Sequence, residues 1–249
     1  MALALDLPDT KLFPHRQERV LGTWVFTWHL DDLELSSSEA QRFLHTEEVE
    51  RVLRPPSKLV RRRRLLSRVL LRAALGAWVG EGARELEFQR GRHGKPYLPG
   101  GPAFNSSHSG PHFLLAIRSS GEVGVDIEVV RHSPDLMTIA NNYFTVAEAD
   151  EIGADPATFT DSFFRTWVRK EALLKGVGAG LSISLQAFRV SSRMAPVGTN
   201  VLLDSQLPAH IGSAWVVASI SCPQGTQAAL AWNREEGDAG DCGSGHSVV

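Results

Sequence analysis

The order of the predicted secondary structure constrains the fold of this 249-residue chain most, because helices followed by strands occur twice. In the first half, a helical pattern that Pro55 and Pro56 end precedes a longer helix at 58–79. In the second half, a capping box at Thr145–Glu148 and a strong helix at 159–176 precede the strands. This order predicts an α+β fold of two similar subdomains, and a single α+β domain is the alternative.

Short strands separated by Gly/Pro turns are predicted in both halves. The predicted strands are 24–30, 85–89, 103–107, 112–118, 123–130, 187–191, 214–219 and 227–232. The end of the chain is polar and Gly-rich, which predicts a disordered tail. The predicted organisation is therefore an N-terminal subdomain at 1–120, a C-terminal subdomain at 121–234 and a tail at 235–249.

Composition and charge argue against several classes of protein. A hydrophobic content of 43% supports a real core, and a formal net charge of -2 with two tyrosines argues against a nucleic-acid partner. No apolar run reaches transmembrane length, and the N-terminus lacks the basic region of a signal peptide. Cys242 lies in the Gly-rich end, so a disulfide with Cys222 is not expected. We therefore expect a cytoplasmic protein with no membrane partner.

The stretch 121–130 (GEVGVDIEVV) alternates apolar residues with others, which predicts a strand with one apolar face. Asp126 and Glu128 project together from the opposite face, with their carboxylates within about 7 Å of each other. Like charges this close repel unless solvent or a cation screens them. The stretch is therefore either a solvated strand face or part of a Mg²⁺ site, since Mg²⁺ prefers carboxylate oxygens.

The strong helix of the second half carries a carboxylate within its apolar stripe. Phe163, Trp167, Glu171 and Leu174 are spaced so that they share one helical face. A glutamate on that face needs a partner, because burying a bare charge is costly. Lys175, one turn later, is one candidate partner. The other interpretation is that Glu171 joins the two strand carboxylates at a metal.

Two further segments offer polar groups that suit an anionic ligand. The segment 91–110 (GRHGKPYLPGGPAFNSSHSG) brings Lys95, Ser107 and His108 to turns and a strand end, although it also fits a plain polar hairpin. The segment 61–72 (RRRRLLSRVLLR) is either a solvated helix face or a site for a phosphorylated ligand.

Four motifs together resemble a known family. They are GKPY at 94–97, FNSSHSG at 104–110, GVDIE at 124–128 and WVRKEALLKGVGAGLS at 167–182. Their order and spacing resemble those of the 4′-phosphopantetheinyl transferases of the surfactin-synthetase-activating (Sfp) type. The resemblance is good from about 61 to 182 and rests on size alone outside that range. One departure is Ser106, where the family usually has an apolar residue.

The resemblance implies a pseudodimer of two α+β subdomains with the active site in the cleft between them. It implies an enzyme that moves the phosphopantetheine arm of coenzyme A to a serine of an apo carrier protein and releases adenosine 3′,5′-bisphosphate. The carriers would be domains of polyketide, nonribosomal peptide or fatty acid synthases. The expected metal is Mg²⁺, with Mn²⁺ as a substitute, and the length resembles that of the monomeric members. A binding module without activity is the alternative.

The resemblance also implies residue roles. The implied metal ligands are Asp126, Glu128 and Glu171, and the implied catalytic residues are Glu171 and Lys175. The implied contacts to coenzyme A are Arg63, Lys95, Pro96, Ser107, His108, Lys170 and Lys175. Whether Glu171 or a water on the metal takes the serine proton stays open, as does which arginine of 61–64 contacts the nucleotide.

The carrier would need a docking surface beside the cleft. Arg165 and Arg169 are four residues apart, so they share a helical face, and they lie off the apolar stripe. The spacing predicts that both side chains are exposed. They would then either keep the helix soluble or meet an acidic carrier.

Overall fold

The computed structural model describes residues 12–205 and 215–233, and the fold below refers to these ranges. The helices are α1 (Ser37–Ala40), α2 (Thr46–Val52), α3 (Lys58–Val79), α4 (Leu136–Tyr143), α5 (Val146–Gly153) and α6 (Phe159–Val177). The strands are β1 (Arg16–Val20), β2 (Thr23–His29), β3 (Gln89–Arg90), β4 (Pro96–Tyr97), β5 (Ala103–Ser109), β6 (His112–Arg118), β7 (Val123–Val129), β8 (Phe188–Val190), β9 (Leu202–Ser205), β10 (Trp215–Ser219) and β11 (Thr226–Asn233).

Two antiparallel sheets form the framework, one in each half of the chain. The first sheet has the order β1-β2-β6-β5 and the second has the order β10-β11-β7. Two hairpins, β3–β4 and β8–β9, complete the described strands. Helices and strands therefore alternate in blocks, and the predicted α+β class is confirmed.

The long helix α3 packs on the first sheet. Its first turn is capped by the Ser57 hydroxyl, which accepts a hydrogen bond from the backbone N–H of Val60. It ends at Gly80, whose φ of +77° lies in the left-handed region that glycine adopts without a steric cost. The core beneath it includes Phe26, Trp28, Leu66, Leu70, Leu115 and Ile117.

Helix α6 is the corresponding element of the second half, and it is enclosed on most of its circumference. One side packs on β7, β10 and β11, and other sides contact α4, α5 and β8. It ends at Gly178, which has a φ of +69°. Its buried positions therefore run almost all the way around the helix rather than along one stripe.

A third core joins the two halves. Its side chains come from both sheets and include Val25, Leu114 and Ala116 of the first half with Val125, Ile127 and Leu230 of the second. The apolar face that the sequence predicts for β7 is buried there, since Val123, Val125 and Ile127 are fully buried. This burial leaves the opposite face of β7 to form the site described below.

The structure corrects several predicted elements. The first helical pattern forms two short helices, α1 and α2, instead of one: a capping box at Ser36 starts α1, and Glu48 accepts from the backbone N–H of His45 where α2 starts. The predicted strand 85–89 is reduced to the two residues of β3, and strand β1 was not predicted. Helix α4 begins at Leu136, ahead of the capping box that the sequence predicts at Thr145–Glu148.

In the part of the chain that the structure describes, no helix has both the length and the apolarity needed to cross a bilayer. The predicted tail at 235–249, with Cys242, lies outside the described residues.

Candidate active site

The two halves meet where strand β5 runs beside strand β7, and side chains rather than a backbone ladder connect them. Asn105 of β5 accepts a hydrogen bond from the backbone N–H of Val125 at 3.0 Å. Ser109 does the same for Val129 at 3.0 Å and donates its own hydroxyl to Glu128 at 2.7 Å. The alternating polar residues of the FNSSHSG motif thus form the seam between the halves.

Asp126 is the centre of this seam, and only 3% of the residue is exposed. One of its oxygens, Oδ1, accepts the hydroxyl of Ser107 at 2.7 Å and the ammonium of Lys175 at 2.6 Å. The other oxygen, Oδ2, is buried and has no hydrogen-bond partner. A buried carboxylate oxygen without a donor is costly, so this atom is suited to hold a ligand.

Helix α6 reaches this strand because two glycines let the backbones touch. A Cβ atom on Gly124 would overlap the carbonyl oxygen of Ala172 and the amide nitrogen of Gly176. Without a side chain at Gly124, the helix lies directly against β7. This contact places Glu171 and Lys175 over Asp126. The helical spacing that puts Glu171 in the apolar stripe did not predict this position.

Glu128 and Glu171 complete a group of three carboxylates. Burial raises the pKa of Glu128, and the charge of Asp126 raises it further. Burial also raises the pKa of Glu171, to which Asp126 and then Glu128 add their repulsion. Lys175 offsets only part of this negative charge. The arrangement therefore favours a bound cation.

A cavity of about 260 Å³ opens beside these groups and is lined by Glu171, Lys175, Asn105, Lys95 and Pro96, among others. As placed here, no three His, Cys, Asp or Glu side chains within the described ranges converge into a complete set of metal ligands. The donors nevertheless fit a hard cation, because the orphaned oxygen of Asp126 and two mutually repelling carboxylates supply oxygen ligands.

These carboxylates predict that, in the presence of a chelator, the folded protein loses stability as the pH rises. The raised pKa of Glu128 means that the folded protein holds a proton that the unfolded chain has released near 4.5. Its contribution to stability is therefore present at lower pH and is lost as the pH rises from about 4.5 through the raised pKa. We expect Glu128→Gln to remove part of this loss. The measurement is the free energy of unfolding in urea of the wild type and Glu128→Gln, in chelator, between pH 4.5 and 7. Equal dependence of this free energy on pH in the two proteins would contradict the expectation.

Ser107 and His108 lie on opposite faces of β5. Ser107 is buried and bonded to both Asp126 and Lys175. His108 is on the exposed face, and partial burial lowers its pKa, as do the charges of Lys175 and Arg64. His108 and Arg64 are therefore close enough to act on one ligand.

The four arginines at 61–64 have different environments. Arg61 donates to the carbonyls of Pro55 and Pro56, just before α3, and Arg62 donates to those of Asp31 and Leu33, after β2. Arg63 forms a two-bond pair with Asp31, at 2.9 Å and 2.6 Å. Arg64 is exposed, and no hydrogen bond or ion pair of its guanidinium occurs within the described residues. The side chain of Arg63 would have to share its donors with Asp31 to contact a nucleotide.

Lys95 and Pro96 both line the cavity, but the ammonium of Lys95 is already engaged. It donates to Glu122 at 2.6 Å, to the carbonyl of Val123 at 3.0 Å and to the carbonyl of Gly176 at 2.6 Å. Burial lowers the pKa of Lys95. Its alkyl chain faces the cavity, while its three donors tie the β3–β4 hairpin to β7 and α6.

The structure corrects the implied role of Lys170 as a contact to coenzyme A. Lys170 is fully buried and pairs with the equally buried Glu148 at 2.8 Å. Its ammonium also donates to the carbonyls of Leu185 and Phe188, both at 2.6 Å. All three donors of the ammonium are used, so the residue fastens α6 to its neighbours. Lys170 meets the same oxygen of Glu148, Oε2, that closes the capping box, while Oε1 accepts from the backbone N–H of Val190, so the capping box gave no signal for this pair.

The structure also corrects the predicted exposure of Arg165 and Arg169, which are 7% and 0% exposed. Arg165 donates to the carbonyl of Ser192 at 2.7 Å. Arg169 donates to the carbonyl of Ser191 and to the hydroxyl of Ser219, and burial lowers its pKa to about 10. The loop after β8 covers this face of the helix, so neither arginine is available to dock a carrier.

Two family models match this chain, one in each half. Residues 122–231 match the family model of the 4′-phosphopantetheinyl transferase superfamily. Residues 27–120 match the model described as 4′-phosphopantetheinyl transferase, N-terminal. The two halves therefore each carry their own match.

Three similar proteins have related names. The 4′-phosphopantetheinyl transferase Sfp of Bacillus subtilis strain 168 is 32% identical over 72% of this chain and 82% of Sfp. HetI of Nostoc sp., also named as such a transferase, is 31% identical over 66% of this chain and 72% of HetI. Another Bacillus subtilis protein of that name is 33% identical, over 61% of this chain, and the match spans 62% of that relative, less than two thirds of its length.

Proposed function

Because the chain belongs to the 4′-phosphopantetheinyl transferase superfamily, we propose that it transfers the 4′-phosphopantetheine arm of coenzyme A to an apo carrier protein. A serine hydroxyl of the carrier attacks the phosphorus of the pyrophosphate that bears the pantetheine arm. The new bond is a phosphodiester between that phosphorus and the serine oxygen. The bond to the bridging oxygen breaks, and adenosine 3′,5′-bisphosphate leaves with the electron pair.

The observation that carries this proposal is the group of carboxylates at the seam between the halves. Asp126 has a buried oxygen without a donor, and Glu128 and Glu171 have raised pKa values beside it. We assign Asp126, Glu128 and Glu171 as the residues that would hold Mg²⁺, or Mn²⁺ in its place. When bound, the ion would neutralise charge on the pyrophosphate.

The chain's own residues supply positioning and proton transfer. Lys175, held at 2.6 Å from Asp126, places a positive charge where the transferred phosphate would lie. Glu171 lines the same cavity, and its raised pKa suits a group that accepts the serine proton. Ser107 bonds to both Asp126 and Lys175 and so fixes their relative position.

For the remaining implied contacts, we propose Pro96 and the alkyl chain of Lys95 as the wall of the coenzyme A site, with His108 at a phosphate. Both wall residues line the cavity next to Glu171. Arg63 stays the predicted nucleotide contact. Arg64 is the arginine to compare with it, because the charge of Arg64 acts on His108. The KM for coenzyme A of Arg63→Ala and Arg64→Ala, measured side by side, would decide between them.

The working unit in this proposal is a monomer in the cytoplasm. Support comes from the seam, where β5 belongs to one half and β7 and α6 to the other, so a single chain supplies all the groups named above. The proposed carriers are domains of polyketide, nonribosomal peptide or fatty acid synthases.

The direct test is to incubate the protein with coenzyme A, Mg²⁺ and several purified apo carrier proteins and to weigh the carriers by mass spectrometry. We expect at least one carrier to gain the mass of a phosphopantetheine group, and we expect excess chelator to prevent the gain. Tight binding of coenzyme A without a mass gain on any carrier would support a binding module instead. A full gain in chelator would refute the metal assignment alone.

Replacing His108 by alanine is expected to raise the KM for coenzyme A with little change in kcat. The histidine is exposed on β5 and, in this proposal, contacts a phosphate remote from the bond that breaks. Losing a hydrogen bond to a charged group costs roughly 1.5–3 kcal/mol, or about ten- to a hundredfold in KM. If His108 contacts the 3′-phosphate, His108→Ala should raise the KM for dephospho-coenzyme A, which lacks that phosphate, by less than it raises the KM for coenzyme A. An equal penalty for both substrates would place His108 elsewhere.

A further inference from the structure

A second cavity, of about 360 Å³, lies at the N-terminal end of α6. Arg165 is part of its lining, ten residues before Lys175, which corresponds to about 15 Å along the helix axis. The cavity is therefore separate from the carboxylates at the seam. Its lining includes Glu151, Thr158, Asp161, Ser162, Arg165 and Ser192.

The guanidinium of Arg165 is buried in this lining without a full set of partners. The residue is 7% exposed, and one of its nitrogens donates to the carbonyl of Ser192 at 2.7 Å. The Nε atom is buried and has no hydrogen-bond partner. Within the described ranges, no carboxylate forms an ion pair with this side chain, and burial lowers its pKa, which the charge of nearby Asp161 offsets only in part. A buried cation in this state needs an anion.

The start of α6 lies at the same cavity, whose lining includes Thr158, Asp161 and Ser162. The hydroxyl of Thr158, at the N-cap position, donates to Asp155 at 3.0 Å and does not cap the helix. No side chain therefore caps the first backbone N–H groups of α6. Such groups at the start of a 19-residue helix attract an anion through their own dipoles and that of the helix.

We propose that this cavity binds a tetrahedral oxyanion of the phosphate class. An arginine fork and backbone N–H groups are the donors that phosphate oxygens accept most readily, and the hydroxyls of Ser162 and Ser192 line the same space. Bound there, the anion would neutralise Arg165 and cap the helix that carries Glu171 and Lys175 at its other end. The proposal does not depend on the transfer reaction.

The other charges around the cavity set its selectivity. Glu151 pairs with Arg193 at 2.9 Å and accepts a hydrogen bond from the backbone N–H of Ser192 at 3.2 Å. Asp161 is exposed on the rim and would repel a phosphate. Removing this charge by Asp161→Asn should therefore increase the affinity for phosphate. If Asp161 only serves as the counter-ion of Arg165, the substitution should instead lower the stability of the protein.

The probe is inorganic phosphate, measured by calorimetry and by the melting temperature at constant ionic strength in chloride. A Lys175→Ala background reduces phosphate binding at the seam. We expect saturating phosphate to raise Tm by about 2–4 °C. We expect Arg165→Met to abolish this rise and Asp161→Asn to lower the phosphate Kd several-fold.

If Arg165→Met fails to fold, Asp161→Asn decides the matter alone. No phosphate-dependent rise in Tm would overturn the proposal, and so would a Kd that Asp161→Asn leaves unchanged or raises. A rise of the same size in folded Arg165→Met would also overturn it, because the phosphate would then bind elsewhere.

Discussion

Replacing Asp126 by asparagine is expected to reduce kcat/KM for carrier modification by at least about a hundredfold while the protein stays folded. The amide keeps the shape of the side chain and one oxygen that can accept from Ser107 and Lys175. It removes the charge that would hold the metal and leaves a weaker ligand at the buried Oδ2 position. Transfer rates and melting temperatures of the two proteins, measured in the same buffer, test this.

The matched control for this loss is Glu122→Gln. Glu122 is a nearby carboxylate that pairs with Lys95, and its side chain is 56% exposed. Since it lies outside the proposed metal set, we expect its replacement to leave kcat/KM within a few-fold of the wild type. Near-normal transfer by Asp126→Asn, or equal losses in both variants, would contradict the assignment of Asp126.

Replacing Gly124 by alanine is expected to cause the largest loss of stability among the substitutions considered. The added Cβ would overlap the carbonyl oxygen of Ala172 and the amide nitrogen of Gly176, which are backbone atoms of α6. Backbone cannot rotate away as a side chain does, so the helix must move off β7. Overpacking of this kind costs about 1–3 kcal/mol and sometimes more, and we expect the upper end, about 3 kcal/mol. Equilibrium unfolding in urea measures the change.

Gly91→Ala is the control for Gly124→Ala. A Cβ at Gly91 would come no nearer than 3.7 Å to its closest neighbour, the carbonyl oxygen of Lys95. We therefore expect a change of less than about 1 kcal/mol there. If Gly124→Ala is as stable as Gly91→Ala, the direct contact between α6 and β7 does not exist, and the placement of Glu171 over Asp126 has to be revised.

The sequence was sufficient for the local elements that depend on neighbouring residues. Helix α3 begins after Ser57 and ends before Gly80, and the capping box at Thr145 starts α5, because caps and glycines act within one turn. The alternation in 121–130 gave both the strand and its two faces. The two carboxylates of that strand could therefore be paired from the sequence alone.

The environment of α6 could not be obtained in the same way. Arg165, Arg169 and Lys170 are polar and were assigned to exposed or ligand-facing positions, yet all three are buried. Their partners are carbonyls, a hydroxyl and a carboxylate at least 15 residues away in sequence. A helical pattern records which residues share a face but not what covers that face.

By itself, therefore, the sequence determined the α+β class, the type of most elements and the placement of Asp126 and Glu128 on one face of a strand. Only the tertiary structure decided that Asn105, Ser107 and Ser109 join the two halves. It also decided that the ammonium of Lys95 donates hydrogen bonds to β7 and α6. The physical reason is distance along the chain. Propensity, capping and periodicity act over a few residues, whereas these bonds form between segments that meet only after both sheets have packed.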